Sequence, residues 1–158
     1  MRARSLIGIQ RGFTLAELLC VVAIAGILAS VTVPSIVKQL PHYRLRSATS
    51  YMSWALRNLR MQAVAQKHRI VVTFPAAGAV NQHVYTVWVD KNDNGVNDLN
   101  ESQTKDLRTS YAGVQMTATA NPTFFPTGLV TNPPTLTLAS AAGTKTITLN
   151  ATGHSTTN

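Results

Sequence analysis

The spacing of apolar positions changes twice along this chain. Residues 13–33 are apolar almost without interruption and carry one charge, Glu17. As a helix, such a run covers the ~30 Å hydrocarbon layer of a bilayer. Beyond it, Leu45, Met52, Leu56, Leu59 and Ala63 recur at helical spacing, with Ala48 and Ala55 nearby. That pattern predicts an amphipathic helix over about 42–66, with one face on a globular domain. Pro34 lies inside the helical pattern and predicts a kink, and Pro41 predicts a break. Met52, Met61 and Trp54 are expected to pack against the domain.

From residue 70 the period falls to two. Segments 70–74 and 84–89 read as strands joined by a loop that holds Pro75 and Gly78. Segments 113–119, 135–138 and 145–149 are further candidates, punctuated by Asn121-Pro122, Asn132-Pro133-Pro134 and Ala142-Gly143. One antiparallel sheet covering the apolar face of the helix is the economical arrangement. The expected fold is α+β: a long N-terminal transmembrane helix, packed by its C-terminal half on a small antiparallel β-sheet domain.

Charge sharpens this division. The formal net charge is +8, yet no acidic residue lies between Glu17 and Asp90, and five of the six acids fall from Asp90 to Asp106. Arg2, Arg4 and Arg11 precede the apolar run, and a basic flank of this kind stays on the cytoplasmic side of a membrane. A secretory signal places small residues after its apolar core. Here Gly12 comes before it, so cleavage there would remove the basic leader and keep the helix. The one cysteine, Cys20, lies in the apolar run, so no intramolecular disulfide can form.

Gly12-Phe13-Thr14-Leu15-Ala16-Glu17-Leu18-Leu19, behind a basic leader and ahead of an apolar run, resembles the class III leader of type IV pilins and type II secretion pseudopilins. Residues 59–65, Phe125-Pro126-Thr127-Gly128 and the closing stretch 147–153 resemble the FimT/GspH branch of minor pilins and pseudopilins. The resemblance implies a domain plan: 1–12 a cleaved leader, 13–41 the transmembrane and polymerisation helix, 42–69 its amphipathic continuation, 70–158 a β-rich domain. It implies cleavage between Gly12 and Phe13 by a prepilin peptidase, N-methylation of Phe13, and assembly with other pilins or pseudopilins through Glu17. A lone carboxylate facing lipid costs roughly 2.5 kcal/mol or more. Pairing Glu17 with the Phe13 ammonium of a neighbouring subunit would lower that cost, and the resemblance implies that this contact sets register. The implied location is the inner membrane of a Gram-negative bacterium, single-pass, with the β-domain periplasmic until assembly into a pilus or pseudopilus.

Some members of this branch bind DNA for natural transformation, and the helix cations Arg44, Arg46, Arg57, Arg60 and Lys67 are the candidates for phosphate contacts. DNA-binding members resemble one another in a C-terminal Gly-Arg-x-Arg motif. In this chain Gly153 is followed by His154 and, after Ser155, Thr156, so the permanent forked charges are missing. A solvated face, or one meeting inner-membrane lipid headgroups, is the simpler reading of those cations.

Residues 90–101 fit the twelve-position calcium-loop pattern. Asp90, Asn92, Asn94, Asp98 and Glu101 would supply side-chain oxygens and Val96 a carbonyl, with Gly95 at the sharp turn. Two neutral amides predict weak affinity, in the ~10⁻⁴–10⁻³ M range. A metal-free connection built from turn-forming residues is the alternative, and no cofactor is required by this reading. His42, His68, His83 and His154 are scattered, and no nucleophile motif accompanies them, so the chain does not read as an enzyme.

Overall fold

The computed structural model describes residues 13–98 and 100–158. Its chain divides into two compact units, Met1–Lys38 and Gln39–Asn158. One helix, α1 (Leu15–Gln66), belongs to both. It is long and apolar enough to cross a membrane, and its apolar window is wholly exposed in the isolated chain. The helix runs on through Pro34 and Pro41, so the break expected at Pro41 does not occur. Each proline removes only one backbone donor, and the neighbouring turns keep theirs. Hydroxyls join in: Ser30 Oγ donates to Ile27 O at 2.7 Å and Thr32 Oγ1 to Leu28 O at 2.8 Å.

In the second unit α1 presents Leu45, Ala48, Met52, Leu56 and Ala63 to the core, at the spacing the sequence predicts. Met52 and Leu56 are fully buried, each worth about 2–3 kcal/mol of transfer free energy. Thr49 and Ser53 share this face without breaking it, because Thr49 Oγ1 donates to Leu45 O at 2.7 Å and Ser53 Oγ lies 3.2 Å from Thr157 Oγ1. Trp54 and Met61 depart from the expected packing role: they are 59% and 62% exposed. Each stands two residues from a core position, Trp54 after Met52 and Met61 before Ala63, and so falls on the opposite side of the helix.

Among the described residues nine strands follow: β1 (Arg69–Thr73), β2 (Val84–Asp90), β3 (Ser102–Asp106), β4 (Gln115–Ala118), β5 (Thr123–Phe124), β6 (Val130–Thr131), β7 (Thr135–Ser140), β8 (Gly143–Leu149) and β9 (Ser155–Thr157). They form two antiparallel sheets, ordered β3-β2-β1-β5-β6 and β4-β7-β8-β9, where one sheet was expected. Chain breaks at the prolines explain the split. The segments around Pro122 and Pro133-Pro134 cannot donate through a continuous ladder, and the strands on either side pair locally. Single backbone bonds stitch the sheets: Met116 N to Gln82 O and Val130 N to Ala151 O at 2.9 Å. One core cluster takes Ile70, Val72 and Val87 from the first sheet and Leu136, Leu138 and Ile147 from the second, around Met52 and Leu56.

Candidate functional site

The head of α1 is built by its own sequence. Thr14 precedes the helix and Glu17 stands in its first turn. Thr14 Oγ1 accepts from the Glu17 backbone N–H at 3.2 Å, and Glu17 Oε2 accepts from the Thr14 N–H at 3.1 Å. This reciprocal pair is a capping box, which satisfies two donors that a helix start leaves without partners. A carboxylate here also faces the positive end of the helix dipole. The Thr-x-x-Glu spacing signals this second role in the sequence, and attention to intersubunit pairing alone misses it. Phe13 is 83% exposed, immediately before the cap. Gly12, the other side of the expected cleavage point, lies outside the described residues. Cys20 is exposed on the apolar helix, as a lipid-facing small residue would be.

The five helix cations do not form one free stripe. Arg44 Nη1 donates to Ala112 O at 3.3 Å, and Arg57 Nε donates to Ser155 Oγ at 3.0 Å. Arg60 Nε donates to Gly128 O at 2.9 Å. These three arginines clamp the loops and the C-terminal strand to α1. Arg46 and Lys67 are exposed, and Lys67 closes the helix in a left-handed conformation, φ 59°. Arg57, Arg60 and His154 do meet around one shallow depression that includes Gly153. The signal for these clamps is Gly128 and Gly153, whose φ values of 81° and 76° let the loops turn tightly against the arginine stems.

The 90–101 loop organises around its own N–H groups. Asp90, fully buried, accepts from Asn94 N at 3.1 Å and Gly95 N at 2.9 Å, and Arg69 Nη2 lies 2.7 Å from its Oδ2. Glu101 accepts from Lys91 N and Asp98 N, at 3.0 and 3.2 Å. The Asn92 and Asn94 amides both donate to Asp98 Oδ2 at 2.8 Å. Those two hydrogen bonds hold the Asp98 carboxyl below its ordinary range. Val96 N donates to Asn94 Oδ1 at 2.7 Å. The loop thus brings the calcium-pattern residues together, but their oxygens face N–H donors and a guanidinium. Among the described residues no three His, Cys, Asp or Glu side chains cluster closely enough to hold a metal ion. The arrangement as folded does not fit an oxygen cage. Arg69, absent from the calcium pattern, is the residue that sequence reasoning missed.

The minor pilin FimU of Pseudomonas aeruginosa is similar at a TM-score of 0.54 with 14% identity, over 74% of this chain and 90% of that one. The minor pseudopilin EpsH from the type 2 secretion system of Vibrio cholerae is similar at a TM-score of 0.54 with 15% identity, over 73% and 96%. These likenesses establish the pilin-like fold. None of the curated proteins matches the chain. A prokaryotic N-terminal methylation motif covers residues 8–33, which includes the Gly12–Phe13 junction and Glu17. The family described as type II transport protein GspH covers residues 48–153, two thirds of the chain, and the chain therefore belongs to the GspH family.

Proposed function

We propose that the protein is a minor pilin or pseudopilin, cleaved between Gly12 and Phe13, methylated at Phe13, and joined to its neighbours through Glu17. The coarser part of this rests on family membership: the chain is a structural subunit of a pilus or pseudopilus rather than a catalyst, anchored through its N-terminal apolar helix, a substrate of prepilin peptidase and an assembly partner of other pilins. The inner membrane, with the β-domain on the periplasmic side, is the location that the basic leader supports.

One observation carries the assembly role. The only carboxylate of the exposed apolar helix sits in its first turn, one turn from Phe13, and its present partners are both groups of Thr14. A neighbouring subunit's ammonium can add to that site without burying an unpaired charge. The test is Glu17→Ala: the protein still inserts and is cleaved, but its incorporation into filaments falls. Normal incorporation would remove Glu17 from the assembly mechanism.

DNA capture is the second reading, favoured by the meeting of Arg57, Arg60 and His154 around one depression. It is the weaker one, since both arginines already hold backbone or hydroxyl oxygens. Titration of the β-domain with duplex DNA at several salt concentrations decides it: micromolar affinity falling steeply with salt supports capture, and no binding at low salt leaves assembly alone.

A further inference from the structure

The face of the β2–β3 pair toward α1 is incompletely covered. Every residue of β3 is exposed, although the strand pairs with β2 along its whole length. Gln103 and Lys105, which alternate toward the helix side, therefore front a groove of about 360 Å³ between the strand pair and α1. That volume falls in the ~300–1,000 Å³ range of small-molecule sites. All lining residues belong to the second unit.

The chemistry of the lining is specific. Trp54, which packing does not account for, opens onto the groove and is 59% exposed. Its ring is backed by Tyr51, centroid to centroid 6.1 Å at a tilt of 35°, and Tyr51 is itself backed by Tyr111 at 5.8 Å. The indole is thus a supported platform with a polar edge. Four primary amides share the lining, Asn58, Gln62 and Gln66 from α1 and Gln103 from β3. Each offers a donor and an acceptor without a charge. Glu101 also borders the groove, but its two oxygens already accept from Lys91 N and Asp98 N. Lys105 is the one cation among the described lining residues. A polyphosphate would want more cations, and an apolar helix would leave the amides without partners. A sugar ring has an apolar C–H face for the indole and uncharged hydroxyls for the amides.

We propose that this groove binds a neutral oligosaccharide, with Trp54 as the stacking platform and Asn58, Gln62, Gln66 and Gln103 hydrogen-bonding its hydroxyls. Such a site would let the displayed domain contact glycan independently of filament assembly through α1.

The test uses the full chain in micelles of a detergent without a sugar headgroup, titrated with chitotetraose, cellotetraose and maltotetraose by calorimetry. At least one is expected to bind with a Kd on the order of 1 mM or tighter. Trp54→Ala weakens that binding about tenfold, and Trp54→Phe recovers most of it. Gln62→Leu, with its apolar shape kept, also weakens binding, while the thermal midpoint of each variant stays near that of the parent. Failure of all three sugars to bind, or unchanged affinity in Trp54→Ala, overturns the proposal. So does a Trp54 that sugars leave open to iodide quenching but filament assembly protects, which would assign the groove to a neighbouring subunit.

Discussion

Arg69 Nη2 stands 2.7 Å from Asp90 Oδ2, between residues directly opposed in the β1–β2 register. The Asp90 side chain is fully buried and that of Arg69 is 30% exposed. Two loop N–H groups complete the contacts of the carboxylate, so one side chain ties the start of the 90–101 loop to the sheet. Removing the guanidinium leaves a buried charge with neutral donors only. Arg69→Ala is expected to lower stability by about 3 kcal/mol, read from chemical denaturation. A loss under about 0.5 kcal/mol would mean that the two N–H bonds suffice to hold the charge.

The same contact governs any response to calcium. A cation in the loop would have to displace Arg69 from Asp90 and turn the Asn92 and Asn94 amides, which now aim nitrogen at Asp98. Calcium at about 1 mM, the weak end for such loops, is expected to leave the thermal midpoint of the wild type unchanged. In Arg69→Ala, where Asp90 has lost its cation, calcium is expected to restore part of the lost stability. A clear rise in the wild-type midpoint would show that the loop rearranges into a cage.

The elements legible in the sequence are those that bury apolar side chains at a regular period. β1, β2, β4, β7 and β8 are expected within a few residues of their bounds, and so is α1 apart from the break expected at Pro41, because Leu45 to Ala63 and the Val, Ile and Leu alternations record the face each presents. β3 is not, since Ser102–Asp106 carries no apolar residue and is a strand only because β2 pairs with it. β5, β6 and β9 are too short for a period to show. Tertiary partners were equally hidden. Nothing local to Arg60 announces that its acceptor lies 68 residues away, at Gly128 O.

Thr14 and Glu17 make helix capping and intersubunit charge pairing separable. Glu17→Gln keeps a side chain that can close the capping box but removes the charge. It is expected to insert and to be cleaved normally, and to enter filaments as poorly as Glu17→Ala. Thr14→Ala keeps the charge and loses the cap, at about 1 kcal/mol, and is expected to assemble nearly as the wild type does. Filament fractions of the two variants decide the matter. The reverse order would make the helix end, not the charge, the assembly determinant.

The Arg60 side chain fills the space that a Cβ at Gly153 would need. A Cβ there would stand 2.6 Å from Arg60 Nε, and the backbone is left-handed, φ 76°. Gly153→Ala is therefore expected to lose about 1–2 kcal/mol through strain at that φ, with the flexible arginine moving aside. Pairing it with Arg60→Ala separates the two terms in a double-mutant cycle. If the glycine substitution costs as much without Arg60, backbone conformation is the whole effect; a smaller cost without Arg60 measures the collision.

Tyr85 gives the domain a predictable alkaline limit. Burial foremost, then the neighbouring Tyr51 hydroxyl by hydrogen bonding and charge, raises its phenol pKa above the ordinary 10.0. The folded state therefore favours the protonated phenol, whereas the unfolded chain ionises near 10.0. That preference is fully present below the unfolded value and is lost as pH rises from there toward the folded one. The slope approaches ~1.4 kcal/mol per pH unit for one proton. Urea midpoints between about pH 8 and 11 should hold level and then fall. Tyr85→Phe keeps the ring beside Phe74, 6.0 Å away, but has no proton to lose. Its midpoint is expected to decline less steeply above pH 10. Equal slopes in the two proteins would move the alkaline limit to another group.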